Sequence, residues 1–237
     1  MKNIVLLHGW ALKINSGWRP FIQLMEAKGF RVYFPQIPGL SGKNLDKTWD
    51  LYTYADWLKQ YINKNKIRDF CLLGHSFGGS IAITYTSQVK NQAKGLILIS
   101  SSGIRKKSLP KKIINKITKI FKIFFLIYPI CLLKDLVRKL WYRILGSGDY
   151  LQTDGFSSKT FIKIINFDLT PLLIKISCPT LILWGAEDKD TPLKEGQIMH
   201  DKIKNSQLHV FANASHGLPF QKKNELIEKI TSFCEKI

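Results

Sequence analysis

The sequence predicts an α/β fold: a mostly parallel sheet of about six strands with helices on both faces and an inserted helical lid. Three observations predict it. Short apolar runs alternate with segments of helical period through the first hundred residues, which is the pattern of a parallel sheet buried on both sides. One junction, residues 69–85, passes from an apolar run through a glycine-flanked turn into a small-residue helix pattern. Between residues 101 and 174 the alternation stops, and it resumes near residue 179.

The elements follow in order. Residues 4–7 (Ile-Val-Leu-Leu) read as a buried strand running straight into His8-Gly9-Trp10. Ser16-Gly17-Trp18-Arg19-Pro20 opens a helix to about residue 28, which Gly29 ends, and residues 31–34 form the next strand. After the Pro/Gly loop 35–42, Leu51, Tyr54, Ala55, Leu58 and Ile62 keep one face of a helix over 51–64. The strand 70–73 leads through Gly74 to a helix over 77–89, and 95–100 is again an all-apolar strand. Ile113, Ile117, Ile120, Phe124 and Tyr128 form a helical stripe beside Lys112, Lys116 and Lys119, and a second basic-apolar helix is expected over 132–145 before Gly146-Ser147-Gly148. These make residues 101–174 a lid over the carboxyl ends of the strands, with 1–100 and 175–237 as the core. A strand at 179–184, a helix to about 203, a short strand at 207–211 and a terminal helix from about 221 to 234 complete the core.

At 237 residues, 45% hydrophobic and 22% charged, the chain suits one large soluble domain with an insertion. The run 120–133 is too interrupted to span a bilayer, and the start lacks the pattern of a signal peptide, so a cytoplasmic location is expected. Cys71, Cys131, Cys178 and Cys234 are scattered without C-x-x-C pairing, which favours buried free thiols over bridges or zinc. The net charge is +19, and residues 101–170 hold fourteen Lys and Arg against four Asp and Glu. No groove-reading motif accompanies that charge, which argues against a nucleic-acid partner. A basic lid more naturally meets an acidic carrier protein, an anionic acyl group or a membrane surface.

Gly74-His75-Ser76-Phe77-Gly78 is a G-x-S-x-G turn, which lifts a serine hydroxyl to the end of a sheet between a strand and a helix. A serine hydroxyl is a weak nucleophile at neutral pH. It needs a histidine to take its proton and a carboxylate to orient that histidine. Asp188, after the penultimate strand, and His216, after the last, supply both in the chain order Ser, Asp, His; Asp190 competes with Asp188 for the carboxylate role. His200 and His209 fall in a helix and a strand, while His8 and His75 occupy backbone turns. The backbone N–H groups of Trp10 and Phe77 are the candidate oxyanion donors. No metal-ligand spacing appears, and neither a metal nor a cofactor is expected.

In their combination, His8-Gly9-Trp10, Gly74-His75-Ser76-Phe77-Gly78-Gly79, Trp184-Gly185-Ala186-Glu187-Asp188 with Thr191-Pro192, and Ser215-His216 resemble the α/β-hydrolase superfamily over nearly the whole chain. The Leu-Leu-His-Gly-Trp opening and the basic lid are also similar to the carboxylesterase branch that includes pimeloyl-carrier-protein methyl ester esterases. Members with Asp at the elbow are dehalogenases and epoxide hydrolases, and Ser76 argues against both. Gln36 stands where the family often has Asp before Pro-Gly, and the first strand here corresponds to the family's third. The resemblance implies a serine hydrolase acting on carboxylic esters through an acyl-enzyme, and the aromatic and aliphatic make-up of the lid favours acyl esters or lactones of short to medium length. Two other readings stay open: a carrier-protein or CoA thioesterase or methyl ester esterase serving an acidic partner, and a low-turnover ligand receptor on the same fold.

Overall fold

The computed structural model describes residues 2–10, 16–40, 45–89, 92–105 and 156–237. Six strands form one sheet: β1 (Lys2–Leu7), β2 (Phe30–Tyr33), β3 (Phe70–His75), β4 (Ala93–Ile99), β5 (Thr180–Gly185) and β6 (Ser206–Phe211). Their order is β2-β1-β3-β4-β5-β6 and every pairing is parallel. The chain crosses to the other side of β1 between β2 and β3. The carboxyl ends of β1 and β3 therefore flank the point where the winding reverses, the usual place for a crevice in such sheets.

Side-chain alternation along each strand divides the core into two layers. Val5, Leu7, Leu72, Leu96, Leu98, Ile182 and Trp184 pack in one, against α2 (Leu51–Lys64) and α3 (Phe77–Gln88). Ile4, Leu6, Leu73, Ile97, Ile99, Leu181 and Leu183 pack in the other, against α1 (Trp18–Ala27) and, late in the chain, the terminal helix. Because both faces are covered, β3 and β5 are buried along their full length, which is why they read as unbroken apolar runs. The edge strand β6 is only partly buried, and its sequence is correspondingly mixed.

Local chemistry sets the helix starts. Asp50 caps α2 by accepting the Thr53 N–H at 2.8 Å, and its other carboxylate oxygen meets Lys163 Nζ at 3.0 Å. Lys163 lies on α4 (Phe156–Ile165), which is followed by the short α5 (Thr170–Leu173). Ile164, Leu169, Leu172 and Leu173 join the first core layer, so these helices belong to the compact unit Met1–Ile104 and Asp154–Ile237. Gly103, at φ +128°, accepts the Leu169 N–H on its carbonyl at 2.9 Å. The lid helices expected over 113–128 and 132–145 lie outside the described residues. The rest is α6 (Leu193–Lys202), α7 (Leu218–Gln221) and α8 (Lys223–Glu235), where α8 is the terminal helix of the second layer. No helix of the described residues is long and apolar enough to cross a membrane.

Cys71 and Cys234 are buried free thiols and Cys178 is a half-buried one. The Cys71 and Cys234 sulfurs, on β3 and α8, lie 3.6 Å apart.

Candidate active site

Ser76 occupies the single residue between β3 and α3, with φ 52° and ψ −119°. That conformation is costly for a residue with a Cβ, on the order of 1–3 kcal/mol, and persists only where its surroundings enforce it. They do so here through the backbone. The Ser76 N–H donates to Ile99 O at 3.1 Å, and Ser76 O accepts from Gly79 N at 2.9 Å and Ser102 N at 3.1 Å. The flanking glycines make the sharp turn sterically possible. A Cβ on Gly74 would stand 2.5 Å from Gly78 O, and one on Gly78 would collide with the Leu7 carbonyl. Phe77 is the first residue of α3, so its N–H has no partner within the helix and sits at the positive end of the helix dipole.

The loop after β1 lies against this turn. A Cβ on Gly9 would be 3.1 Å from Ser76 Cβ and 3.5 Å from its Oγ. Trp10 packs its ring on Phe77 at 5.2 Å and on Phe161 of α4 at 5.0 Å, and Tyr54 of α2 meets Phe77 at 5.2 Å. An aromatic wall thus stands beside the serine. His8 is buried, with Nδ1 2.8 Å from Gly9 O, and burial holds its pKa below the usual histidine range.

Asp188 and His216 meet above the ends of β5 and β6. Asp188 Oδ2 accepts a hydrogen bond from His216 Nδ1 at 3.0 Å. The carboxylate is fully buried while the imidazole is 23% exposed. Burial works against the charge on Asp188. The hydrogen bond and charge of His216 and the backbone N–H of Thr191 outweigh it and keep the Asp188 pKa below its ordinary value. Asp190 is exposed, and its contribution to Asp188 is a backbone N–H at 3.0 Å from Oδ1. Since Nδ1 of His216 donates to the carboxylate, Nε2 keeps its lone pair in the neutral ring and can take up a proton. Among the described residues, the Ser76 hydroxyl makes no side-chain hydrogen bond.

Three further residues shape this corner, and their roles were not read from the sequence. Thr191 is buried, donates its N–H to Asp188 Oδ1 at 2.9 Å, and places Oγ1 2.9 Å from Asp188 Oδ2 and 3.2 Å from His216 Nδ1. The indole N–H of Trp184 anchors the same loop by donating to Thr191 O at 2.8 Å. Gln221 grips Ser215 twice, accepting its N–H and donating to its Oγ, both at 2.8 Å. The Thr191-Pro192 pair stood in the motif without an assigned task; no local pattern marks Gln221 or the contact of His75 with His216.

Ligand atoms of Asp188, Asp190 and His216 lie within 4.8 Å of one another, the one grouping of potential metal ligands among the described residues. His216 Nδ1 is already committed to Asp188 there, so a cation would have to displace that hydrogen bond. A cavity of about 490 Å³ lined by Ile62, Lys66, Arg68 and Gln92 opens at the start of β3, the opposite end of that strand from Ser76.

Comparison with known proteins decides the family. The pattern of the Alpha/beta hydrolase family matches residues 4–228. The chain belongs to the alpha/beta hydrolase family. Among curated members, it is 28% identical to the proline iminopeptidase of Saccharolobus solfataricus, over 100% of this chain and 86% of that one. It is 23% identical to the 2-hydroxy-6-oxo-6-phenylhexa-2,4-dienoate hydrolase of Burkholderia cepacia, over 90% and 80% of the two chains. Among solved structures, the esterase of Exiguobacterium antarcticum superposes with a TM-score of 0.74 at 21% identity, covering 99% of this chain and 92% of the esterase. Hydrolysis is what these relatives of the family share by name; their substrates differ.

Proposed function

We propose that the protein is a serine hydrolase of carboxylic esters, with Ser76 as nucleophile, His216 as general base and Asp188 as the carboxylate that orients it. The observation that carries this reading is the Asp188–His216 hydrogen bond, which leaves Nε2 as the proton-accepting nitrogen, in a site that also holds a serine in a strained strand-to-helix turn. In the first step His216 Nε2 takes the Ser76 proton while Oγ bonds to the ester carbonyl carbon, and the carbonyl oxygen becomes an oxyanion. The Trp10 and Phe77 N–H groups stabilise it. Collapse of this intermediate expels the alcohol with the proton from His216 and leaves an acyl-serine. Water, activated by the same histidine, then adds to the acyl carbon and releases the acid.

The half-buried rings of Trp10 and Phe161, packed on and beside Phe77, support acyl groups of short to medium length, or lactones, over strongly polar substrates. The test is a panel of p-nitrophenyl esters, thioesters and lactones run on wild type and Ser76→Ala. Ester turnover should fall by roughly 10,000-fold or more in Ser76→Ala, with labelling by a fluorophosphonate probe abolished. Retention of most activity overturns the assignment.

The charge of residues 101–170 favours a second reading, in which the acyl group is presented on an acidic carrier protein. It predicts that a carrier-bound acyl ester is hydrolysed faster than the free ester at low salt, with the advantage lost at high salt. Equal rates at low salt remove it.

A further inference from the structure

We propose that His75, the residue immediately before the serine, is a positioning residue that fixes the backbone of His216 and thereby the distance between nucleophile and base. The inference rests on the serine hydrolase reading and extends it to a residue that takes no part in the chemistry just described.

The geometry is direct. His75 Nε2 lies 3.0 Å from His216 O, across 141 residues of sequence. A carbonyl oxygen only accepts, so Nε2 carries the hydrogen and donates it, and Nδ1 of the neutral ring is bare. The two imidazoles lie with centroids 5.0 Å apart at an interplanar angle of 43°. Trp18 and Phe220 close around His75 edge-on, at 5.6 and 6.5 Å, which leaves the ring little freedom to swing away. Burial and the neighbouring His216 lower the His75 pKa to about 3, so the clamp stays uncharged at working pH. Neutrality suits its place: a second imidazolium beside His216 would oppose the charge that His216 acquires as it takes the serine proton.

The arrangement differs from a packing contact in what it connects. Asp188 and Thr191 hold the ring of His216, and Gln221 holds Ser215 on its amino side. Among the described residues, only the His75 bond reaches from the element bearing the serine to the backbone of the base. His75 is peptide-bonded to Ser76, whose own backbone is tied to β4. One side chain therefore links the two reacting residues, and such links matter because a displacement of about 1 Å can cost about 100-fold in rate.

The test compares wild type, His75→Phe and His75→Gln, with Ser76→Ala as the control for the underlying reading. Phenylalanine keeps the ring beside Trp18 and Phe220 but lacks the N–H. Glutamine places an amide nitrogen as many bonds from Cβ as Nε2 is, so it can restore the donor. His75→Phe should lower kcat on a p-nitrophenyl ester, and the rate of fluorophosphonate labelling, by about 10- to 100-fold with KM within about 2-fold. His75→Gln should recover both to within about 5-fold of wild type. Amide hydrogen exchange at residues 215–217 should quicken in His75→Phe and slow again in His75→Gln. Wild-type kcat and labelling in His75→Phe overturn the proposal. So does a loss of equal size in both variants, which marks a packing role alone. Full turnover in Ser76→Ala overturns the serine hydrolase reading instead, and so separates the two failures.

Discussion

Ser76 is held by main chain and His216 by side chains, and the two halves of the site differ accordingly in what damages them. On the serine side, four backbone hydrogen bonds and two glycines with no room for a Cβ impose the turn. On the histidine side, Asp188, Thr191, Gln221 and His75 each supply one or two hydrogen bonds. A backbone-built feature fails through the fold; a side-chain-built feature can lose activity while the fold stands.

Substitutions on each side sharpen that contrast. Asp188→Asn should lower kcat by about 10,000-fold, because the amide can present its N–H to His216 Nδ1 and favour the wrong tautomer. Steady-state turnover alongside an unchanged melting curve would place the damage in the chemistry. Gly78→Ala should act the other way, driving a methyl into the Leu7 carbonyl and costing roughly 1–3 kcal/mol of stability, with Tm lower by about 2–4 °C per kcal/mol. A Gly78→Ala protein that melts like wild type would break the contrast. Thr191→Val, which removes one hydroxyl from the Asp188–His216 pair, should lower kcat by about 10-fold, with Thr191→Ser close to wild type.

The pH dependence of stability separates the two sides as well. His75 resists protonation in the fold to about pH 3, whereas its ordinary value is 6.5. Below that ordinary value the unfolded chain takes up a proton that the folded chain refuses, so stability is lost as pH falls from 6.5 toward 3 and is unaffected above 6.5. His75→Gln has no such group. Its stability, from urea unfolding at a series of pH values, should fall less steeply than that of wild type across this window.

The same division explains what the sequence disclosed. Gly74, Ser76 and Gly78 sit within five residues, and a backbone turn leaves its requirements in that short span. The strands announced themselves because burial on both faces admits little but apolar side chains. Asp188 and His216 were legible because a parallel sheet delivers successive loops to one edge. The hydrogen bond from His75 to His216 was not, since it joins residues far apart in sequence and either residue alone looks like an ordinary loop or strand-end histidine. The helices Phe156–Ile165 and Thr170–Leu173 were read with the lid because they follow the break in alternation, yet their apolar residues pack with the sheet. Periodicity reports which face of a helix is buried, and it is silent on what buries it.

The hydrogen bond from Leu169 to Gly103 closes the chain on itself just where it leaves the sheet and just before it returns. The helix Phe156–Ile165, between these two residues in sequence, is fastened to the core separately, by the Trp49–Thr160 and Lys163–Asp50 bonds and by Ile164. The entropy of closing a loop between fixed ends rises only slowly with its length, so residues added between two such anchored points cost folding little.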